Sequence, residues 1–97
     1  KTLKEPIYGI WGMQKNKLPT QFIKSFDKIF KKLITVTIPN EPNTLKATDL
    51  KKIGKKYMPS DSAKNIRTAL KRISSKENKT IVIFGSLYLV GEVLSKN

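Results

Sequence analysis

Hydrophobic residues along this chain alternate between two periods, one suited to strands and the other to helices. Residues 6–13 (P-I-Y-G-I-W-G-M) form a β-branched and aromatic run that predicts a buried strand, thinned by Gly9 and Gly12. From 19 to 32 the period becomes that of an amphipathic helix. Leu18, Phe22, Ile23, Phe26, Ile29, Phe30 and Leu33 share one stripe, Lys24, Lys28, Lys31 and Lys32 face away, and Pro19 suits the first turn. Residues 33–38 read as a second strand, stopped by Pro39. The stretch 39–47, with two prolines and two asparagines, reads as a long loop.

Thr48 is then expected to cap a short helix over 49–57, with Leu50, Ile53 and Tyr57 inward and Gly54 as a weak point. A faint edge-strand signal covers 56–58. Ser60 or Asp61 is expected to open a better helix reaching about residue 74, with Ala63, Ile66, Ala69, Leu70 and Ile73 inward, and 77–79 reads as a turn. Residues 80–84 (T-I-V-I-F) are continuously apolar, as in a parallel strand covered on both faces. Gly85 permits a sharp turn, and Ser86 stands where a hydroxyl would cap a final apolar helix containing Gly91 and Glu92.

The order β-α-β-α-(β)-α-β-α predicts an α/β fold, a Rossmann-like and mostly parallel sheet with helices on both faces. Right-handed crossovers would bring Met13, Ile38 and Gly85 to one edge of that sheet. Carboxyl ends of parallel strands beside helix N-termini are where such sheets bind ligands, anions in particular. Gly85 and Ser86 are therefore site candidates. The loop after the first strand is another, through Gly12 and either Lys15 or Lys17. Each has a plainer structural role: a turn glycine, a cap, an exposed loop with Trp11 and Met13 in the core.

With 97 residues the chain supports one domain, 1–97, with one modest core. It opens at Lys1 without a methionine, which fits a processed or excised piece. No run is long enough for a membrane span, so no membrane is expected. Absence of cysteine removes disulfide and thiol chemistry and fits a reducing compartment. Absence of histidine removes the usual zinc sites and the commonest general base. Glu5, Asp27, Glu41, Asp49, Asp61, Glu77 and Glu92 show no spacing that suggests acid–base catalysis or a magnesium site. No catalytic residue and no metal ligand is assigned. Neither a dinucleotide fingerprint, a Walker loop nor a nucleophile elbow is present.

The 20 basic and 7 acidic residues leave a formal charge of +13. That charge raises the alternative of a small basic α/β module binding nucleic acid through its lysine-rich helix faces. Only Arg67 and Arg72 offer a bidentate fork, the lysines spread over three helices, and no aromatic platform for bases stands out. Nucleic acid is therefore not the expected partner. A third reading is an interaction module with an unpaired sheet edge.

The run F-G-S-L-Y-L-V-G-E-V-L at 84–94 resembles the C-terminal signature of the folylpolyglutamate synthase / dihydrofolate synthase family, within the Mur ligase superfamily. The Gly12-Met13 loop is similar to that family's G-M-x-x-D-K-D segment, and T-I-P-N-E-P-N-T-L at 37–45 resembles its proline loop. The resemblance implies the C-terminal part of an ATP-dependent cytoplasmic ligase of folate biosynthesis and one-carbon metabolism. Such an enzyme activates a folate or pteroate carboxylate as an acyl phosphate, which the glutamate amine attacks, with Mg²⁺ assisting. It implies that Ser86, presented by Gly85, faces glutamate. ATP and Mg²⁺ would be held by the complete enzyme, with its N-terminal ATPase domain, and not by this chain alone.

Departures from the family pattern narrow that expectation. Asn16 and Leu18 stand where the segment has acids, so only Lys17 matches, and the proline loop lacks the arginine often found there. The D-x-A-H-N-P motif that opens the family domain has no counterpart, nor have the P-loop and magnesium ligands of the other domain. The domain is thus expected to lack its first strand and helix, and the isolated chain to be inactive.

Overall fold

The computed structural model describes residues 6–15, 17–73 and 79–85. Among these residues four strands, β1 (Ile7–Trp11), β2 (Lys32–Thr35), β3 (Ser60–Ser62) and β4 (Thr80–Phe84), alternate with three helices, α1 (Pro19–Lys24), α2 (Ala47–Gly54) and α3 (Ile66–Ile73). All pairings are parallel and the sheet order is β3-β2-β1-β4. The expected parallel α/β architecture is what forms. The expected final helix, Ser86 included, and most of the 77–79 turn lie outside the described residues.

Strand pleating sends alternate side chains to two cores, one on each face of the sheet. On one face Ile10, Ile34 and Val36 pack against Ile66, Ala69 and Ile73 of α3. On the other, Trp11 and Leu33 pack with Ile23 of α1, Leu50 of α2, Phe30 and Met58. Ile81 and Ile83 of β4 join the first core, while Val82 and Phe84 join the second. Phe84 sits among four rings, with centroids 5.1 Å from Phe26, 5.4 Å from Phe30, 5.8 Å from Phe22 and 6.4 Å from Trp11. Edge and offset contacts of this kind anchor the carboxyl end of the sheet.

Several boundaries differ from the sequence expectation, each for a local reason. Helix α1 stops at Lys24 instead of running to 32. Beyond it the backbone tightens into three-residue turns, Phe26 to Ile23 (3.0 Å) and Ile29 to Phe26 (3.0 Å), while the Ser25 hydroxyl donates to the Phe22 carbonyl (2.7 Å). Lys28 takes a left-handed φ of 67°. With the helical period lost, Ile29 leaves the stripe and is exposed, as is Leu18 ahead of the helix.

Thr48 does not cap α2; the helix starts at Ala47, with Lys46 in the capping position and no local side-chain bond. Two threonines, the last residue of β2 and one two residues beyond it, hold it instead. The Ala47 N–H donates to Thr37 Oγ1 (2.9 Å), and Thr35 Oγ1 donates to the Ala47 carbonyl (2.6 Å). These tertiary bonds satisfy a terminal N–H that a local cap would otherwise take.

The edge strand is Ser60–Ser62, not 56–58, so Ser60 and Asp61 open no helix. Helix α3 begins at Ile66, where Asn65 Oδ1 accepts the Thr68 N–H (2.8 Å). Gly54 ends α2 in close contact with this edge. A Cβ there would lie 2.7 Å from Ser60 Oγ and 2.8 Å from Leu33 Cδ2, so the glycine lets the helix lie close on the sheet.

Candidate functional site

Parallel pairing places the carboxyl ends of β1, β2 and β4 along one edge, as the crossovers required. The loops beyond β1 and β2 are joined there. The Leu45 N–H donates to the Met13 carbonyl (2.9 Å) and the Lys15 N–H to the Asn43 carbonyl (2.6 Å), around an antiparallel bridge between Gln14 and Thr44. Thr44 Oγ1 accepts the Ile38 N–H (2.9 Å), and Glu41 accepts the Asn43 N–H (3.0 Å). Glu41 thus shapes its own loop.

At the end of β4, Gly85 has a φ of 115°, a conformation open to glycine and strained for L side chains. Its position is also fixed by space: a Cβ would fall 1.9 Å from the Gly12 carbonyl oxygen and 2.9 Å from Trp11 Cδ1. The Gly12 N–H donates back to the Phe84 carbonyl (3.3 Å). Gly12 and Gly85, far apart in the chain, therefore touch backbone to backbone. Trp11 is fully buried beneath them, and its Nε1 has no hydrogen-bond partner among the described residues.

Lys17 lies on the same side. With Met13, Leu18, Gln21, Phe22 and Gly85 it lines an open groove of about 530 Å³. The structure thus brings Gly12, Gly85 and Lys17 together at one end of the sheet, and Ser86 follows Gly85 outside the described residues. In the first loop the N–H groups of Gly12, Lys15 and Lys17 all bind carbonyls. Those three amides are therefore engaged within the protein, while Lys17 lines the groove. Among the described residues no three acidic or metal-ligating side chains come together, and no helix is long and apolar enough to cross a membrane.

Residues 36–96 match the family described as dihydrofolate synthetase, C-terminal domain. This chain belongs to that family. No curated protein matches it by sequence. Among solved structures, the folylpolyglutamate synthase of Mycobacterium tuberculosis complexed with ADP and AMPPCP superposes with a TM-score of 0.80 at 16% identity, over 93% of this chain and 23% of that one. The folylpolyglutamate synthase of Thermotoga maritima superposes with a TM-score of 0.73 at 27% identity, over 94% of this chain and 21% of that one. A second M. tuberculosis synthase structure, with ADP, gives 0.79 at 13% identity. The two M. tuberculosis matches speak to fold alone. The chain spans less than a quarter of the length of these synthases.

The residues that sequence reading missed are those assembled from distant segments. Thr35 and Thr37, which seat α2, carried no motif, and neither did the polar strand that follows.

Proposed function

We propose that this chain is part of an ATP-dependent cytoplasmic ligase that joins glutamate to folate or dihydropteroate, and that the edge bearing Gly85 and Ser86 forms part of the glutamate-side wall. The observation that carries the reading is the seating of Gly85 on the Gly12 carbonyl at the end of β4. That contact fixes the backbone of Gly85, the residue that precedes Ser86 in the sequence. Membership of the dihydrofolate synthetase C-terminal domain family supports it, as does the ADP and AMPPCP complex of the M. tuberculosis synthase.

In such a reaction the acid's carboxylate takes the γ-phosphoryl group of ATP to give an acyl phosphate, and ADP leaves. The glutamate amine attacks the acyl carbon, loses a proton, and inorganic phosphate leaves. On this reading the metal and nucleotide are held by the portion of the ligase outside this chain. This chain's contribution is binding and orientation. The Lys17 ammonium in the groove pairs with a glutamate carboxylate, and the Ser86 hydroxyl hydrogen-bonds it so that the amine is presented to the acyl carbon.

The test is steady-state ligation by the complete enzyme, with Lys17→Ala and Ser86→Ala compared with wild type. Weakened glutamate use with ATP use unchanged is expected. Glutamate ligation by the isolated chain with MgATP would show that the reading of it as a partial enzyme is wrong.

A further inference from the structure

Strands β2 and β3 are neighbours, yet the chains leaving them cross to opposite faces of the sheet. β2 leads into α2, on the side of Leu33 and Leu50, and β3 into α3, on the side of Ile34 and Ile66. Divergence of this kind opens a crevice beyond the strand ends, the place where open α/β sheets take ligands. Here it is an open cleft of about 430 Å³ lined by Thr37, Lys46, Thr48, Ser62, Lys64 and Arg72, with Ala47 and Ala63 between them. It lies toward the β3 edge, away from the groove at Gly85.

Among the described residues the lining holds three cationic groups, three hydroxyls and no carboxylate. Among the described residues the ion pairs both run to Asp61, from Lys51 (3.7 Å) and from Arg72 (3.4 Å), leaving Lys46 and Lys64 unpaired. Asp49, in the first turn of α2, does not line the cleft. Arg72 is ordered at the rim because its Nη1 donates both to Asp61 and to the Ser62 carbonyl; its other nitrogens have no partner among the described residues. The three cations come from three separate segments: the start of α2, the loop after β3, and the last turn of α3.

From this arrangement we infer that the crevice is a second anion site, which takes a polyvalent oxyanion such as a polyphosphate or a chain of carboxylates. A single charge would engage only part of the set, whereas an anion with several charged groups spans cations placed on three segments. On the ligase reading proposed above, the source is the carboxylate chain of a polyglutamylated folate. That identification of the source rests on the reading; the anion site does not.

The experiment titrates inorganic pyrophosphate and, separately, tri-γ-glutamate into the ¹⁵N-labelled 97-residue chain at about 0.15 M salt, where diffuse surface attraction is largely screened. Saturable amide shifts are expected at Thr48, Ser62 and Lys64. Lys46→Glu/Lys64→Glu should weaken the better ligand by about tenfold or more. A control with the same net charge, Lys52→Glu/Lys55→Glu, alters exposed lysines outside the cleft and should change affinity by less than about threefold.

Tighter binding of tri-γ-glutamate identifies the carboxylate source, and tighter binding of pyrophosphate a phosphate source; either supports the site. Equal weakening by both double variants, or no saturable shift in the crevice, overturns it. All four substituted lysines are exposed, and circular dichroism verifies that the variants fold. If the complete enzyme fails to add glutamate but pyrophosphate still saturates the crevice, the ligase reading falls while the site stands.

Discussion

Replacing Gly85 by alanine tests the contact on which the edge geometry depends. Two costs apply. Alanine at a φ of 115° occupies a region that L residues rarely adopt, worth roughly 1–3 kcal/mol. The new Cβ would also stand 1.9 Å from the Gly12 carbonyl oxygen, more than an ångström inside the 3.0 Å limit that real Cβ atoms respect. Backbone atoms cannot rotate away as side chains do, so β1 and β4 must separate at this end. The Gly12 N–H to Phe84 carbonyl bond is then lost, at about 1 kcal/mol.

Together these give a loss of roughly 3 kcal/mol, a large part of the roughly 5–15 kcal/mol that holds a domain of this size. Urea unfolding of the chain, followed by tryptophan fluorescence, should show the midpoint falling by about 2 M for a slope of about 1.5 kcal/mol/M. Gly54→Ala is the matched control. Its Cβ would meet Ser60 Oγ at 2.7 Å and Leu33 Cδ2 at 2.8 Å, side-chain atoms that can turn aside, so its loss should be smaller. If Gly85→Ala unfolds within about 1 kcal/mol of wild type, below the low end of the strain range, or loses less than Gly54→Ala, the Gly12–Gly85 contact is not as described.

Other expectations follow from the same structure. A hydrogen bond from the Ser62 N–H, aided by Arg72 and Lys51 against the effect of burial, holds the Asp61 carboxyl below the usual carboxylate range. Because the folded-state value is lowered, this stabilisation is complete above about pH 4 and is lost as the pH falls through that lowered value. The stability gap between wild type and Asp61→Asn, about 1 kcal/mol at most for so exposed a group, should therefore shrink between pH 7 and pH 3; an unchanged gap would contradict it. Thr35→Val removes the donor to the Ala47 carbonyl inside the core and should cost about 1–2 kcal/mol, while Thr35→Ser should recover most of it in urea unfolding. Trp11, the single tryptophan, is fully buried, so acrylamide should leave its native emission unquenched; quenching as strong as in urea would place it elsewhere.

Much of this fold is legible in the sequence because β1, β2 and β4 are apolar runs rich in β-branched and aromatic residues; β1 and β2 bury most of theirs, and β4, at the sheet edge, half-buries its own. Strand β3 is not legible: Ser60, Asp61 and Ser62 have neither apolar alternation nor β-branching. They pair because β2 offers an open edge and Asp61 is tied to Lys51 and Arg72. Thr48 reads as a cap because caps are local in sequence, whereas the threonines that seat α2, one ending β2 and one just beyond it, lie ten or more residues away. The stripe beyond Lys24 misled for a different reason. Phe26 and Phe30 bury against Phe84 from a tightened turn as well as they would from a helix. At the candidate site, Gly85 was legible by residue type, but its partner was not, since only the β1–β4 pairing brings the Gly12 carbonyl against it. The cationic crevice is equally a product of folding, because Lys46, Lys64 and Arg72 form no motif along the chain.

The most direct test of the central claim is the KM for glutamate in the complete ligase carrying Ser86→Ala. Loss of one hydrogen bond to the substrate should raise that KM by about three- to tenfold and leave the KM for ATP unchanged. A glutamate KM equal to that of wild type would contradict the placement of glutamate against this edge of the sheet.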